Sequence, residues 1–348
     1  MKKNRLGRTD LMVSELCLGS MTWGSQNDLD QAHAQIDLAL DRGINFIDTA
    51  EMYPTTPIHE ETVGRTERMI GLWLEKYPER RDDMVLATKH SGEGFKYARG
   101  GAPISAETIP ETVEGNLRRL KTDHIDLYQF HWPNRGSYAF RQNWSFDPTE
   151  QNHAETVDNM HEVMEALAKE CKRGTIRHFG LSNESAWGMS QWVRLADEGV
   201  GPRAVSIQNE YSLLCRLFDT DLAELCHHED IGLLAYSPLA AGLLTGKYQN
   251  GRVPAGSRMS INEELGGRNT PNAFEAVAAY QRVADKHRLD LVQMSIAWAK
   301  QRPFMTSVIF GATSLAQLRL IIDAADLTLP EEVLLDIDIA HRDFPMPY

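Results

Sequence analysis

The stretch NFIDTAEMY (45–53) runs from apolar residues straight into an acid, Asp48, and reaches a phenol, Tyr53, five residues later. A polar loop after any strand would explain one such residue. An α/β barrel explains more, because barrels keep their chemistry at the carboxyl ends of their strands. The deciding question is whether other strands in this chain end in the same way.

They do. Besides INFID (44–48), the candidate strands are VSELCLG (13–19), MVLATK (84–89), IDLYQFH (125–131), RHFGLSN (177–183), AVSIQN (204–209), GLLAYSP (232–238) and SVIFGA (307–312). Between them, residues 32–42, 67–77, 109–120, 157–173, 186–196, 222–229, 274–287 and 315–324 carry apolar positions at helical spacing. Strands rich in Ile, Val and Leu, each followed by a helix, imply a parallel sheet covered on its outer face. Eight such units predict a closed (β/α)8 TIM barrel spanning residues 1–348 as a single domain. A doubly wound sheet would announce its nucleotide site with a Gly-rich fingerprint. The nearest match, GEGFKY (92–97), has Tyr97 where the third glycine belongs and reads as a mobile loop after the third strand. RLGRTDLMVS predicts an N-terminal β-hairpin turning at GRTD. Long loops follow strands four (133–152, with Tyr138, Phe140, Trp144 and Phe146) and seven (249–271).

Composition narrows the class. The chain is 42% hydrophobic and 24% charged, enough for a sizeable core, and no Pro/Gly/Ser linker divides it. Its formal charge of −13 argues against nucleic acid as a partner, while a local basic groove for an anionic cofactor stays open. Of four scattered cysteines, Cys17, Cys171 and Cys226 fall in apolar or helical patterns and are expected to be buried, which suits a reducing compartment. The N-terminus lacks the apolar core of a signal peptide and no stretch is long enough to cross a membrane, so the expected location is cytoplasmic.

The polar residues at the strand ends are Asp48, Lys89, His131, Ser182 with Asn183, Gln208 with Asn209, and Tyr236 with Ser237. Six in succession on one rim point to a site. A phenol has an unperturbed pKa of about 10, and an ammonium such as Lys89 would lower it. Asp48 supplies the charge that keeps a buried lysine protonated, and His131 can bridge to a carbonyl oxygen or assist proton transfer. Taken singly, Asp48–Lys89 reads as an internal salt bridge and His131 as a core histidine. Taken together, they form a proton relay for a C=O/C–OH couple. Metal readings fare worse. HEVME at 161 lacks the second histidine of a zinc motif, CHHE at 226 reads as a helix end, and no zinc or binuclear set stands at ligand spacing.

With these residues in place, the sequence resembles the aldo-keto reductases nearly end to end. RLGRTDLMVSELCLGSMTWG, GINFIDTAEMY, LATK, LKTDHIDLYQFHWP, GTIRHFGLSNES, IQNEYSLL, AYSPLAAGLLTGKY and GATSLAQL occur in that family's order. The last three are nearest in style to the branch of potassium-channel β-subunits and Tas-like bacterial proteins. The resemblance implies NADPH-dependent reduction of aldehydes and ketones to alcohols, without a metal. It makes Tyr53 the general acid, tuned by Lys89 and Asp48, with His131 orienting the carbonyl. It assigns Ser182, Asn183 and Gln208 to the nicotinamide carboxamide and Tyr236 to stacking on the ring. Ser237, Pro238, Leu239, Gly242, Leu244 and Lys247 would wrap the pyrophosphate, Arg258 would approach the adenosine phosphate, and Gly311, Thr313 and Gln317 would border the adenosine. Leu320 and Ile321 stand where the family often has Glu and Asn, so the adenine edge loses an amide. Arg258 and Arg319 remain for a 2′-phosphate, and NADH is a weaker alternative cofactor.

Trp23, Trp132 and the aromatic loop are expected to line the substrate cavity, favouring apolar or aromatic carbonyl compounds. The loop aromatics fit packing on themselves or on a second copy in a homo-oligomer equally well. Two other classes stay open: a cofactor-binding regulatory or scaffold subunit with little turnover, and a metal-dependent barrel lyase or hydrolase.

Overall fold

Eight of the short apolar runs pair edge to edge, all parallel, and close into a barrel in the computed structural model, which describes residues 1–348. The strands are β1 (Lys3–Arg5), β2 (Met12–Ser14), β3 (Leu16–Gly19), β4 (Phe46–Asp48), β5 (Val85–His90), β6 (Ile125–Phe130), β7 (Ile176–Ser182), β8 (Ala204–Glu210), β9 (Gly232–Tyr236) and β10 (Met305–Phe310). Barrel order runs β3 to β10, with β10 returning to β3. β1 and β2 form the expected antiparallel hairpin, closed by a bond from Leu6 N–H to the Leu11 carbonyl. The run 13–19 therefore divides at Glu15 between hairpin and barrel.

The hairpin plugs one end of the barrel. Leu6 and Val13 join Cys17, Phe46, Val85, Ala87, Leu127, Val205, Leu234 and Ile309 in a separate apolar cluster inside it. Gly7 makes this possible. It turns left-handed, at φ +55°, and a Cβ there would sit 2.5 Å from the Val205 carbonyl oxygen. Side chains on a strand alternate faces, so the same inward column continues upward from this floor. Phe46 leads to Asp48, Ala87 to Lys89, Leu127 to Gln129 and His131, and Leu234 to Tyr236. Period-two alternation thus gives a dry floor and a polar rim.

Helices cover the outside with their apolar faces; Arg65–Lys76 buries Ile70, Trp73 and Leu74. Local chemistry fixes their ends. Asp28 and Gln31 form a capping box for Leu29–Asp41, and Asn152 caps His153–Arg173, which stops at left-handed Gly174. Besides the single turn Arg258–Ile261, two longer helices lie beyond those read from periodicity, Leu291–Lys300 and Glu331–Asp343. The first is buried on nearly every side and so shows no amphipathic stripe. Among the cysteines, Cys17 and Cys226 are buried, whereas Cys171 is only half-buried; all four are free. No helix is long and apolar enough to cross a membrane.

Candidate active site

The rim converges on Asp48, which is 2% exposed. Its Oδ2 accepts from Lys89 Nζ at 2.5 Å, and Lys89 also donates to the Thr49 carbonyl at 2.8 Å. Its Oδ1 accepts from Gln208 Nε2 at 2.8 Å and Gln129 Nε2 at 3.2 Å. Burial disfavours the Lys89 ammonium, but the charges and hydrogen bonds of Asp48 and Tyr53 outweigh it, and the lysine titrates above its ordinary value.

Tyr53 is half-buried above this pair, with Lys89 Nζ 5.0 Å from its ring centre and the His131 ring 5.7 Å away, edge on. Its pKa moves opposite to the sequence expectation. Burial raises it, Lys89 lowers it by less, and Asp48 raises it again, so the phenol is held protonated more firmly than free tyrosine. A firmly protonated phenol next to an ammonium is a proton donor, not a resting phenolate. His131 is buried and pushed well below its ordinary value, first by burial and then by Lys89, so it is neutral. Its Nδ1 is sealed without a partner. Leaving that nitrogen as a lone pair costs less than stranding an N–H, which puts the proton on Nε2.

Several groups of the site gave no signal in the sequence reading. Gln129, fully buried, is one. Glu51 is another: buried between Asp48 and Tyr53, it takes Arg99 through two bonds of 2.7 and 2.9 Å and the Ser91 N–H at 2.6 Å. The Glu51 N–H bonds the Lys89 carbonyl. The loop 91–102, whose stretch 92–97 was expected to be mobile, is therefore fastened to the Tyr53 segment through Ser91 and Arg99. It also fastens Trp132, whose Nε1 donates to the Glu93 carbonyl at 3.1 Å. Trp132 lies 4.9 Å from the His131 ring and 6.2 Å from Phe140, which is 41% exposed. Trp23, by contrast, goes to the core. It is fully buried with its N–H on Gln35, so it does not form a cavity wall as expected.

The residues matched to the nicotinamide are also brought together. Ser182 donates to the Gln208 carbonyl at 2.7 Å, Asn183 donates to the His131 carbonyl at 2.9 Å, and Tyr236 donates to Asn183 Oδ1 at 2.8 Å. The loop 237–247, holding Ser237, Pro238, Leu239, Gly242, Leu244 and Lys247, turns left-handed at Ser237, Ala240, Ala241, Gly242 and Gly246. Such a backbone gathers N–H groups around an anion. Two cations nearby have no carboxylate. Lys247 lies over the Tyr248 ring at 5.1 Å, and Arg258 meets only the Met21 sulfur at 3.8 Å. Burial, then the Arg268 charge, make the Arg258 guanidinium easier to deprotonate than usual. Half-buried cations without counter-charges beside a folded-back loop fit a dinucleotide's phosphates.

At the far end Gln317 Oε1 accepts from Thr313 N–H and hydroxyl, at 2.9 and 3.1 Å, beside exposed Gly311. Leu320 and Arg319 are exposed, but Ile321 is a core residue. Above the rim, Glu210 gathers Arg141 from loop 133–152, Arg268 from loop 249–271 and Tyr348, at 2.8, 2.8 and 3.1 Å. The cluster contains no group of three or more His, Cys, Asp or Glu side chains able to hold a metal, nor does the rest of the chain.

Acid should weaken this end of the barrel. Burial lowers His90, beside Arg99 and Thr108, to about 4. The unfolded chain, with a histidine pKa of about 6.5, then binds the extra proton, and stability present above that pH is lost as pH falls toward 4. His131 acts in the same direction. His90→Gln is expected to shrink the stability difference between pH 7 and pH 5 by about 2 kcal/mol, read from urea unfolding at both pH values. An unchanged difference would remove His90 from the account.

Comparison with known proteins agrees with this geometry. The profile of the Aldo/keto reductase family matches residues 15–342. Protein tas of Escherichia coli (strain K12) is 41% identical over 353 residues, covering 100% of this chain and 99% of that protein. A probable voltage-gated potassium channel subunit beta of Arabidopsis thaliana is 31% identical, covering 94% and 92%. The NADH-specific methylglyoxal reductase of Escherichia coli (strain K12) is 29% identical, covering 95% of each.

Proposed function

The chain belongs to the aldo/keto reductase family, nicotinamide-dependent oxidoreductases of carbonyl compounds, and we propose that it reduces aldehydes and ketones to alcohols with NADPH. The observation that carries this reading is the protonated Tyr53 phenol set over the buried Asp48–Lys89 pair, with a neutral imidazole beside it. A bound nicotinamide would supply the hydride for the carbonyl carbon. His131 Nε2–H orients the carbonyl oxygen. Tyr53 donates its proton to that oxygen, and the Lys89 ammonium stabilises the phenolate left behind until it is reprotonated. Asp48 holds Lys89 in place and protonated. Ser182, Asn183, Gln208 and Tyr236 would hold the nicotinamide, loop 237–247 with Lys247 the pyrophosphate, and Gly311, Thr313 and Gln317 the adenosine. Trp132 and Phe140 support an apolar or aromatic substrate. No feature of the site favours the alternative of a regulatory subunit with little turnover.

NADPH over NADH is argued from Arg258 and Arg319, since a guanidinium suits a phosphate and neither is drawn into an ion pair. Arg258→Met is expected to weaken NADPH about tenfold while moving NADH less, measured as dissociation constants by nucleotide fluorescence. Equal loss for both nucleotides would place Arg258 at the pyrophosphate instead. The function itself is tested by NADPH oxidation with an activated aromatic aldehyde. Absence of turnover on a broad carbonyl panel, with nucleotide bound, would reject it.

A further inference from the structure

The two oxygens of Asp48 serve different partners. Oδ2 takes the Lys89 ammonium, while Oδ1 takes one N–H from Gln208 and one from Gln129. Gln208 Nε2 also donates to Gln129 Oε1 at 3.1 Å. All three side chains are buried, Gln129 completely. A carboxylate only accepts, so each amide must present its nitrogen to Asp48. With its nitrogen so engaged, Gln129 offers Gln208 only an oxygen, and that oxygen takes the second N–H of Gln208. Gln208 Oε1 is what remains. It accepts nothing from the protein and is not among the polar atoms sealed without a partner. Flipping either amide would set acceptor against acceptor in a buried network, which is costly.

We propose that Gln129 is a positioning residue: it holds the Gln208 amide with its oxygen toward the barrel mouth, ready to accept an amide N–H from bound nicotinamide, and thereby joins cofactor docking to the carboxylate that holds Lys89. The inference rests on the function proposed above. Gln129 lies below His131 on the same strand face and is fully buried, so it acts through Gln208 and Asp48 without touching the reactants. With an apolar side chain at 129, Gln208 keeps one partner, and its oxygen-outward state becomes one of several. Affinity then falls with the fraction of protein in the competent state.

The test uses Gln129→Met, Gln208→Met and the double variant, with NADPH dissociation constants measured on the substrate-free protein. Gln129→Met is expected to weaken NADPH about tenfold, and to add almost nothing in the Gln208→Met background, because the two act as one unit. Gln129→Glu preserves volume and gives a second readout. Ionised, it cannot donate to Asp48; protonated, it can, so weak binding at high pH should recover on acidification. A wild type that binds NADPH, with both variants binding equally well at all pH values, would overturn the positioning role alone. So would a Gln129→Met effect of the same size in both backgrounds, which marks a merely structural residue. A wild type that binds no nicotinamide nucleotide would remove both this inference and the function it rests on.

Discussion

Tyr53→Phe is expected to lower kcat for carbonyl reduction about a thousandfold while leaving NADPH affinity and fold nearly unchanged. The phenol is half-buried and its hydrogen-bond partner is Lys89, which keeps both Asp48 and the Thr49 carbonyl when the hydroxyl is gone. What disappears is the one group placed to protonate the product oxygen. The raised Tyr53 pKa adds a second expectation. An acid that stays protonated through neutral pH gives a reduction rate that is flat from about pH 6 to 9. Steady-state kinetics across that range, run with both proteins, decide the matter. A phenylalanine variant that retains more than a tenth of the activity would assign the proton to another group.

Lys89→Met should damage both stability and turnover, by separable routes. Removing the ammonium leaves the Asp48 carboxylate in the barrel with only two amide donors, and an uncompensated buried charge costs about 3–5 kcal/mol. Pairing it with Asp48→Asn removes the charge as well, and stability is expected to return to within about 1 kcal/mol of the wild type. Activity should not return, because nothing then stabilises the phenolate that Tyr53 becomes. Urea unfolding and kcat on the single and double variants give the comparison. A double variant as unstable as the single one would mean that packing, not charge, sets the cost.

Much of this was legible in the sequence, for a simple reason. Barrel strands are short, apolar and followed by helices, and the period-two alternation that puts Ala87 in the floor puts Lys89 in the rim. Asp48, Tyr53, Lys89 and His131 could be read from where apolar runs stop. Groups that depend on distant partners could not. Glu51 and Arg99 are 48 residues apart, and Glu210 meets Arg268 across 58. The direction of the Tyr53 shift is not legible in the sequence, because burial, the larger effect, is a property of the closed fold. Trp23 and Ile321 went to the core for the same reason: an apolar side chain near a site is not thereby in it.

The apolar cluster that the hairpin closes has a consequence for how this protein can change. Leu6, Val13, Phe46, Val85 and Leu234 belong to one apolar cluster inside the barrel, on the floor below the reacting groups. Cores accept volume-conserving apolar substitutions at modest cost. The lower half can therefore drift, or be redesigned for thermal tolerance, while the upper half keeps its chemistry. New substrates would be sought in the loops above, and robustness in the plug below. A library randomised only at the floor positions should yield variants that differ in melting temperature and share one substrate profile.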